Sequence, residues 1–374
     1  MNNKLNVCVM FGGKSTEHDI SIISGLQVYN ALNKDKYNVS IIYISKDNKM
    51  YIGNKLNTIE TYKNNINYKY LKEVSLLNEN NQTYIKYKNK TKIVDIFIPV
   101  FHGEGTEDGT ISALLEFIGA TYITSDITSS SIAQDKIFTK DILKKYHIQT
   151  PRYVTINKGL VDYKQISEKL RYPLIIKPAR LGSSIGIEKA LNEEELIEKI
   201  DKVFLYSNRL IIEELIDNIN EYNCACFRYN NKLYISLVEE VKTNNDFLTF
   251  SDKYISENKK LKENESRIIP ASISKELEDR IKEVTKDIYQ ILGFSGVIRI
   301  DYIYDKTKQK LFFNEVNTIP GSYAFYLYEK NNLSFDIMLD MLIKETIINK
   351  EKQKKLIKVF DSNILQNKSI KLNK

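Results

Sequence analysis

Apolar residues along the chain follow two rhythms. Short runs rich in β-branched and aromatic residues, at 5–11, 39–44, 93–101, 153–156, 174–177, 210–215, 221–227 and 238–241, read as strands. Apolar positions three and four residues apart predict helices after Thr16 and over 111–118, 133–146, 162–170, 193–203, 275–292 and 334–348. In the first helix Ile20, Ile23, Val28, Ala31 and Leu32 are expected on the buried side, with Thr16-x-x-Asp19 as a capping box. In the longest, Leu277, Ile281, Val284, Ile288 and Ile291 form the apolar stripe and Gly293 the stop. The opening strand, the Gly12-Gly13 break, the helix and the second strand make a parallel α/β unit.

The stretch 296–321 is organised differently. Two β-branched runs, 297–304 and 311–316, flank a polar turn, which predicts a hairpin. Side chains alternate faces along a strand, so Arg299 and Asp301 share one face, as do Glu315 and Asn317. Paired strands would gather two carboxylates, an amide and a guanidinium on one surface. Mg²⁺ prefers such oxygen ligands, usually with substrate phosphates completing its shell. The guanidinium would sit where negative charge collects. A solvated sheet face with a cross-strand ion pair accounts for the spacing equally well.

At 374 residues the chain is long enough for two or three domains. The net charge of +7 comes with no dense arginine run, and eight lysines fall within 350–374. Anionic small molecules fit this mild bias, whereas it is weak ground for nucleic acid. The three cysteines, Cys8, Cys224 and Cys226, match neither a disulfide framework nor a metal knuckle, which favours a reducing compartment. No apolar run reaches membrane-span length and no signal-peptide pattern opens the chain, so a cytosolic protein is expected.

Three loops invite chemistry. GGKS at 12–15 lacks the first glycine of a P-loop, whose place Cys8 takes, and is set aside. HGEGTEDG at 102–109 follows a strand, and two such turns suggest a ligand crevice at strand ends. His102 by default is a satisfied loop histidine, and Glu17 a residue favoured by the helix dipole. ARLGSSIGI at 179–187 would let backbone N–H groups approach an anion, with Lys177 just before it. The polar stretch 46–92 reads as an elaboration with little chemistry, 125–131 as a domain boundary, and 242–267 as a long functional loop.

In this order the strings GGKSTEHDISIISG, HGEGTEDGT, QDK, IIKPARLGSSIGI, FLTFSDKY, GVIRIDYI and NEVNTIPGS resemble the D-alanine–D-alanine ligases of the ATP-grasp superfamily. The resemblance covers about residues 5–347. It implies an α/β and α+β chain with an ATP-grasp fold. A Rossmann-like N-terminal domain (1–124) would precede a central ATP-grasp subdomain with the small phosphate lid (125–213). A C-terminal ATP-grasp domain (214–349) and a Lys-rich tail (350–374) would follow. It further implies ATP, two Mg²⁺ ions with Mn²⁺ as a substitute, a D-alanyl phosphate intermediate and a homodimer in the cytoplasm, with neither nucleic acid nor membrane as partner.

The same resemblance assigns roles. Asp301, Glu315 and Asn317 match the metal ligands, and Lys136 and Lys177 the phosphate-binding lysines. Ser183 and Ser184 lie in the lid, and Lys253 and Tyr254 in the larger loop. Tyr254 would link to Ser183 and to Glu17, which holds the first substrate's ammonium. Arg299 and the N–H of Gly321 match the oxyanion pair, and Glu213 and Glu221 the adenine and ribose side. The span from Glu213 to Glu221 is one residue longer than usual and lacks the customary glycine. Tyr326-Leu327 stands where a Ser-Leu pair receives the second substrate's carboxylate, and Thr249-Phe250 replaces an acidic residue and a tyrosine. The expected activity is therefore D-alanine–D-alanine ligation for the peptidoglycan precursor. The alternative is the same chemistry with D-serine, D-lactate or another second substrate. The competing classes are a nucleotide-binding regulator or assembly partner without ligase turnover, and a DNA- or membrane-binding role for the Lys-rich tail.

Overall fold

The computed structural model describes residues 4–63, 66–242, 267–357, 359–360 and 362. Lys253 and Tyr254, with Thr249 and Phe250, lie outside the described residues.

The first third of the chain supplies β1 (Leu5–Gly12), β2 (Tyr37–Ile44), β3 (Met50–Ile52), β4 (Lys72–Glu73), β5 (Ser75–Glu79), β6 (Gln82–Tyr87), β7 (Lys90–Val94) and β8 (Ile96–Val100). One sheet has the order β4-β3-β2-β1-β8, with β1 parallel to both β2 and β8. Residues Val7–Phe11 are wholly buried, as a parallel strand covered on both faces must be. Strands β5–β7 form a separate three-stranded sheet, so part of 46–92 is a built hairpin array. The single strand expected over 93–101 is two, interrupted at Asp95, whose carboxylate accepts the backbone N–H of Asn6 at 2.7 Å and its amide at 2.9 Å.

The first helix, His18–Ala31, buries His18, Ser21, Ile22, Ser24, Gly25, Leu26 and Val28. Ile23 is exposed and Ile20 only half-buried, against expectation. The reason is close packing on β1: a Cβ on Gly25 would lie 2.2 Å from the Phe11 ring, so small residues face the sheet and apolar ones flank it. The capping box is also absent. Glu17 occupies the cap without a side-chain cap bond, and Ser15 Oγ accepts the Glu17 N–H at 3.1 Å instead.

A helix expected over 133–146 is likewise split, into Ile127–Gln134 and Lys136–Lys145. Asp135 breaks it by capping the second piece, accepting the N–H groups of Ile137 and Phe138. Residues 127–131, read as boundary, are thus helical.

Beyond it, β9 (Tyr153–Asn157), β10 (Leu174–Pro178), β11 (Glu188–Ala190) and β12 (Arg209–Glu214) make a sheet of order β11-β10-β12-β9. Helices Tyr163–Lys169 and Glu193–Val203 cover one face of it through Ile166, Leu196, Ile200 and Val203. The last sheet comprises β13 (Ile219–Tyr229), β14 (Lys232–Ile235), β15 (Glu239–Val241), β16 (Arg267–Ile268), β17 (Ile298–Asp305) and β18 (Lys310–Asn317). Its order is β16-β15-β13-β17-β18, with β14 on β13. Helix Lys275–Ile291 packs Ile281, Val284 and Ile288 against its core face. The closing helix, Phe335–Lys354, runs past the expected end into the Lys-rich segment. Among the described residues no helix is long and apolar enough to cross a membrane.

Candidate functional site

The hairpin predicted around the 305–309 turn is present, with Arg299 opposite Asn317 and Asp301 opposite Glu315. All four are half-buried on one face. Arg299 grips Asp301 with two charge-assisted bonds, Nε to Oδ1 at 2.7 Å and Nη2 to Oδ2 at 2.8 Å. Burial opposes the guanidinium charge, but Asp301 more than offsets it and raises Arg299 well above its ordinary value. Asn317 Nδ2 donates to Asp301 Oδ2 at 3.4 Å.

Register slips by one residue after Asp301, so Tyr302 faces Phe313 and Asn314 is left over as a β-bulge. The bulge is not idle. Asn314 Oδ1 accepts from Lys177 Nζ at 3.3 Å, joining the hairpin to the end of β10.

Lys177 also donates to Glu213 Oε2 at 2.7 Å, and Lys140 donates to Glu213 Oε1. Glu213 is therefore a buried counterion spanning two lysines. Burial alone would push its carboxyl up, but the two ammoniums outweigh that and hold it at about 2. Lys136, one turn before Lys140, donates to the Leu181 carbonyl at 2.6 Å and lies 3.2 Å from Glu315 Oε2. It ties the glycine-rich turn to the hairpin. In that turn Ser183 and Ser184 adopt φ of 53° and 58°, left-handed values that non-glycine residues seldom take.

Ser183 Oγ donates to the Glu17 carboxylate, so the first helix meets the turn across 166 residues. The 102–109 loop completes this corner. Ser15 Oγ donates to the His102 carbonyl at 2.6 Å. Gly103, at φ 84°, has no room for a side chain, since a Cβ there would lie 2.5 Å from Ser15 Oγ and 3.0 Å from Glu17 Oε2. Burial pushes the His102 imidazole down to about 4, and its Nε2 lies 2.9 Å from Ser24 Oγ: a satisfied loop histidine, as expected. Glu107 accepts the Ile319 N–H at 3.0 Å and the Gly103 N–H at 3.2 Å. Burial, with Glu17 adding repulsion, pushes its carboxyl up to about 8.

Gly321 opens the turn after β18, and a Cβ on it would meet nothing within 4 Å. The next three residues, Ser322, Tyr323 and Ala324, have φ of 48°, 56° and 51°, a run that non-glycine residues adopt only under constraint. Ser322 Oγ donates to Gln27, and the Tyr323 phenol donates to the Pro99 carbonyl at 2.7 Å. The turn after β18 is thus fixed to the first helix and the first sheet.

Glu221 lies two residues before Asn223 on β13 and shares its face. Tyr326 donates its phenol to Glu239 Oε2 at 3.2 Å. Leu327 is wholly buried in the core, and its carbonyl accepts the Leu237 N–H at 3.2 Å. Glu107, Lys140, Asn314, Glu239 and Arg267 were not singled out by sequence reasoning. Lys140 had a usable signal, the i,i+4 spacing from Lys136 that puts both on one helix face.

Two family models match the chain, the D-ala D-ala ligase N-terminus over residues 6–125 and the D-ala D-ala ligase C-terminus over residues 142–348. The chain belongs to the D-alanine–D-alanine ligase family. It is 38% identical over 367 residues to the D-alanine–D-alanine ligase of Thermosipho melanesiensis, covering 97% of this chain and 98% of that one. It is 33% identical over 362 residues to D-alanine–D-alanine ligase B of Clostridium tetani, covering 93% and 95%. The structure of the D-alanine–D-alanine ligase from Coxiella burnetii superposes with a TM-score of 0.82 at 25% identity, covering 95% of this chain and 97% of that one. VanG D-Ala:D-Ser ligase of Enterococcus faecalis superposes with a TM-score of 0.77 at 30% identity, covering 92% and 100%. The fold is that of these ligases, the ATP-grasp fold.

Within this ligase fold, the metal expectation can be weighed against the donors present. Among the described residues no three His, Cys, Asp or Glu side chains converge as a metal cluster. The candidate set is two carboxylates and an amide, Asp301, Glu315 and Asn317, on one sheet face. Hard oxygen donors of that kind, too few to enclose an ion, suit Mg²⁺ that completes its shell with phosphate and water.

Proposed function

We infer that this protein joins two D-alanines at the expense of ATP, supplying the dipeptide of the peptidoglycan precursor. The carboxylate of the first D-alanine attacks the γ-phosphorus of ATP, and ADP leaves. The amine of the second attacks the resulting acyl phosphate carbon, loses a proton, and phosphate departs as the peptide bond forms. The observation that carries this reading is the approach of Lys136 Nζ to Glu315 Oε2 at 3.2 Å, which sets a phosphate-type cation against the oxygen-donor face.

The residues divide the work as follows. Lys136 and Lys177 hold the phosphates, and Ser184 with the turn's N–H groups covers them. Glu213 fixes Lys177, and Glu221 faces the nucleotide. By the family resemblance Lys253 would serve the ATP side and Tyr254 would join the Ser183–Glu17 link, shutting out water, which would hydrolyse an acyl phosphate. Glu17 receives the first substrate's ammonium. Arg299 and the Gly321 N–H stabilise the tetrahedral oxyanion. Asp301, Glu315 and Asn317 would hold Mg²⁺, or Mn²⁺ in its place, whose charge offsets the meeting of two anions. The enzyme works in the cytoplasm as a homodimer, which sedimentation would check.

Tyr326 supports a second reading, a different second substrate such as D-serine, and the likeness to a D-Ala:D-Ser ligase keeps it open. Product mass spectrometry with ATP, Mg²⁺ and D-alanine, alone and with D-serine or D-lactate, separates the two. A D-alanyl-D-alanine mass from D-alanine alone supports the first. A mixed product with little homodipeptide moves the function to the second.

A further inference from the structure

Across the last sheet, Glu239 of β15 pairs with Asn223 of β13, Asn223 with Asp301 of β17, and Asp301 with Glu315 of β18. Residues paired in one row share a face, so Glu239 looks the same way as the oxyanion and metal groups. It is wholly buried. Oε2 accepts from Asn223 Nδ2 at 2.9 Å and from the Tyr326 phenol at 3.2 Å. Oε1 has no hydrogen-bond partner among the described residues and lies 3.5 Å from Arg267 Nε. The Arg267 guanidinium also sits over the Tyr326 ring, 5.3 Å from its centroid. It is therefore held on two sides, yet 49% of the side chain is exposed. Asn223, whose amide Glu239 accepts, is paired directly with Asp301, so the group lies one strand away from the polar face of the hairpin.

A phenol has one proton, and here Glu239 takes it. The oxygen that remains offers only lone pairs. Burial pushes this phenol up to about 12, so it does not become an anion at neutral pH either. A substrate carboxylate is acceptor-only and gains nothing from such a group. Arg267 offers a planar fork of donors matched to a carboxylate, its contact with Glu239 runs through Nε, and half of the side chain is open to solvent.

We propose that Arg267, seated on the Tyr326 ring and anchored by Glu239, receives the carboxylate of the second amino acid. Tyr326 is then a platform rather than the donor, and the acceptor must be an α-amino or α-hydroxy acid with a free carboxylate. The proposal rests on the ligase reading above.

The test uses D-alaninamide, which keeps the amine and methyl but has no carboxylate to phosphorylate, so it can serve only as acceptor. In full-length enzyme, Arg267→Ala should raise the acceptor KM by about tenfold to a hundredfold, the loss typical of a charge-assisted contact. The KM values for ATP and the first D-alanine should hold, and the preference for D-alanine over its amide should collapse towards unity. Arg267→Lys should fall between, and covers the case in which the alanine variant folds poorly. Tyr326→Phe, which keeps the ring under Arg267 and loses only the hydroxyl, should raise the acceptor KM clearly less than Arg267→Ala does. An unchanged acceptor KM and preference in both Arg267 variants overturns the proposal, as does a Tyr326→Phe loss equal to that of Arg267→Ala. Wild-type enzyme that forms no D-alanyl product with any acceptor overturns the ligase reading itself, a different result.

Discussion

Glu107, in the 102–109 loop, accepts the backbone N–H of Ile319, 212 residues later, at 3.0 Å. This buried carboxyl holds the start of the turn after β18 against the 102–109 loop. Its value of about 8, above an ordinary 4.5, fixes a sign. The folded protein binds the proton more tightly than the unfolded chain, so the stability this group contributes is complete below about 4.5 and is lost as pH rises through about 8. Glu107→Gln, neutral throughout, should flatten the fall in unfolding free energy across that window. Chemical denaturation of both proteins at several pH values checks it, and equal slopes would rule the effect out.

Glu213 carries the opposite sign. Held at about 2 against 4.5, it contributes stability above about 4.5 that is lost as pH falls through about 2. Glu213→Gln leaves Lys140 and Lys177 buried without their counterion and should destabilise by about 3–5 kcal/mol. Urea unfolding at neutral pH measures the loss.

Glu315→Gln removes a charge from the oxygen-donor face while keeping its shape. Turnover should fall by at least about a hundredfold, since one group stabilising developing charge contributes on that scale. Thermal unfolding should show the fold intact, and the Mg²⁺ concentration needed for half-maximal rate should rise. A variant with normal Mg²⁺ dependence would remove Glu315 from the metal set.

Ser183→Ala cuts the link to Glu17 without touching the core. Stability should change little, because the turn is half-exposed, while phosphate release uncoupled from dipeptide formation should rise as water enters. Comparing phosphate released with dipeptide formed reads this directly.

Tyr326→Ser removes the platform under Arg267. Acceptor preference should shift more than ATP affinity, as competition among D-alanine, D-serine and D-lactate would reveal.

Much of this is legible in the amino-acid sequence. Period-two alternation located Arg299, Asp301, Glu315 and Asn317 on shared faces, because strand geometry leaves no other choice. The break at Asp135 and the inward face of the first helix were not legible, since capping and sheet approach outweigh apolar spacing there. Nor were Glu107, Glu239 and Arg267. Each is an ordinary charged residue in sequence and acquires its role only through burial beside a partner far along the chain.

The bulge at Asn314 has a meaning for chain length. Deleting that one residue would leave Glu315 opposite Asp301 and Phe313 opposite Tyr302, an uninterrupted ladder. Sheet pairing alone therefore calls for a strand one residue shorter than the one present. The surplus residue engages Lys177 at the end of β10, so the length of this strand answers to the neighbouring sheet. A one-residue deletion here, ordinarily fatal to a hairpin, should yield a better sheet and a poorer ligase.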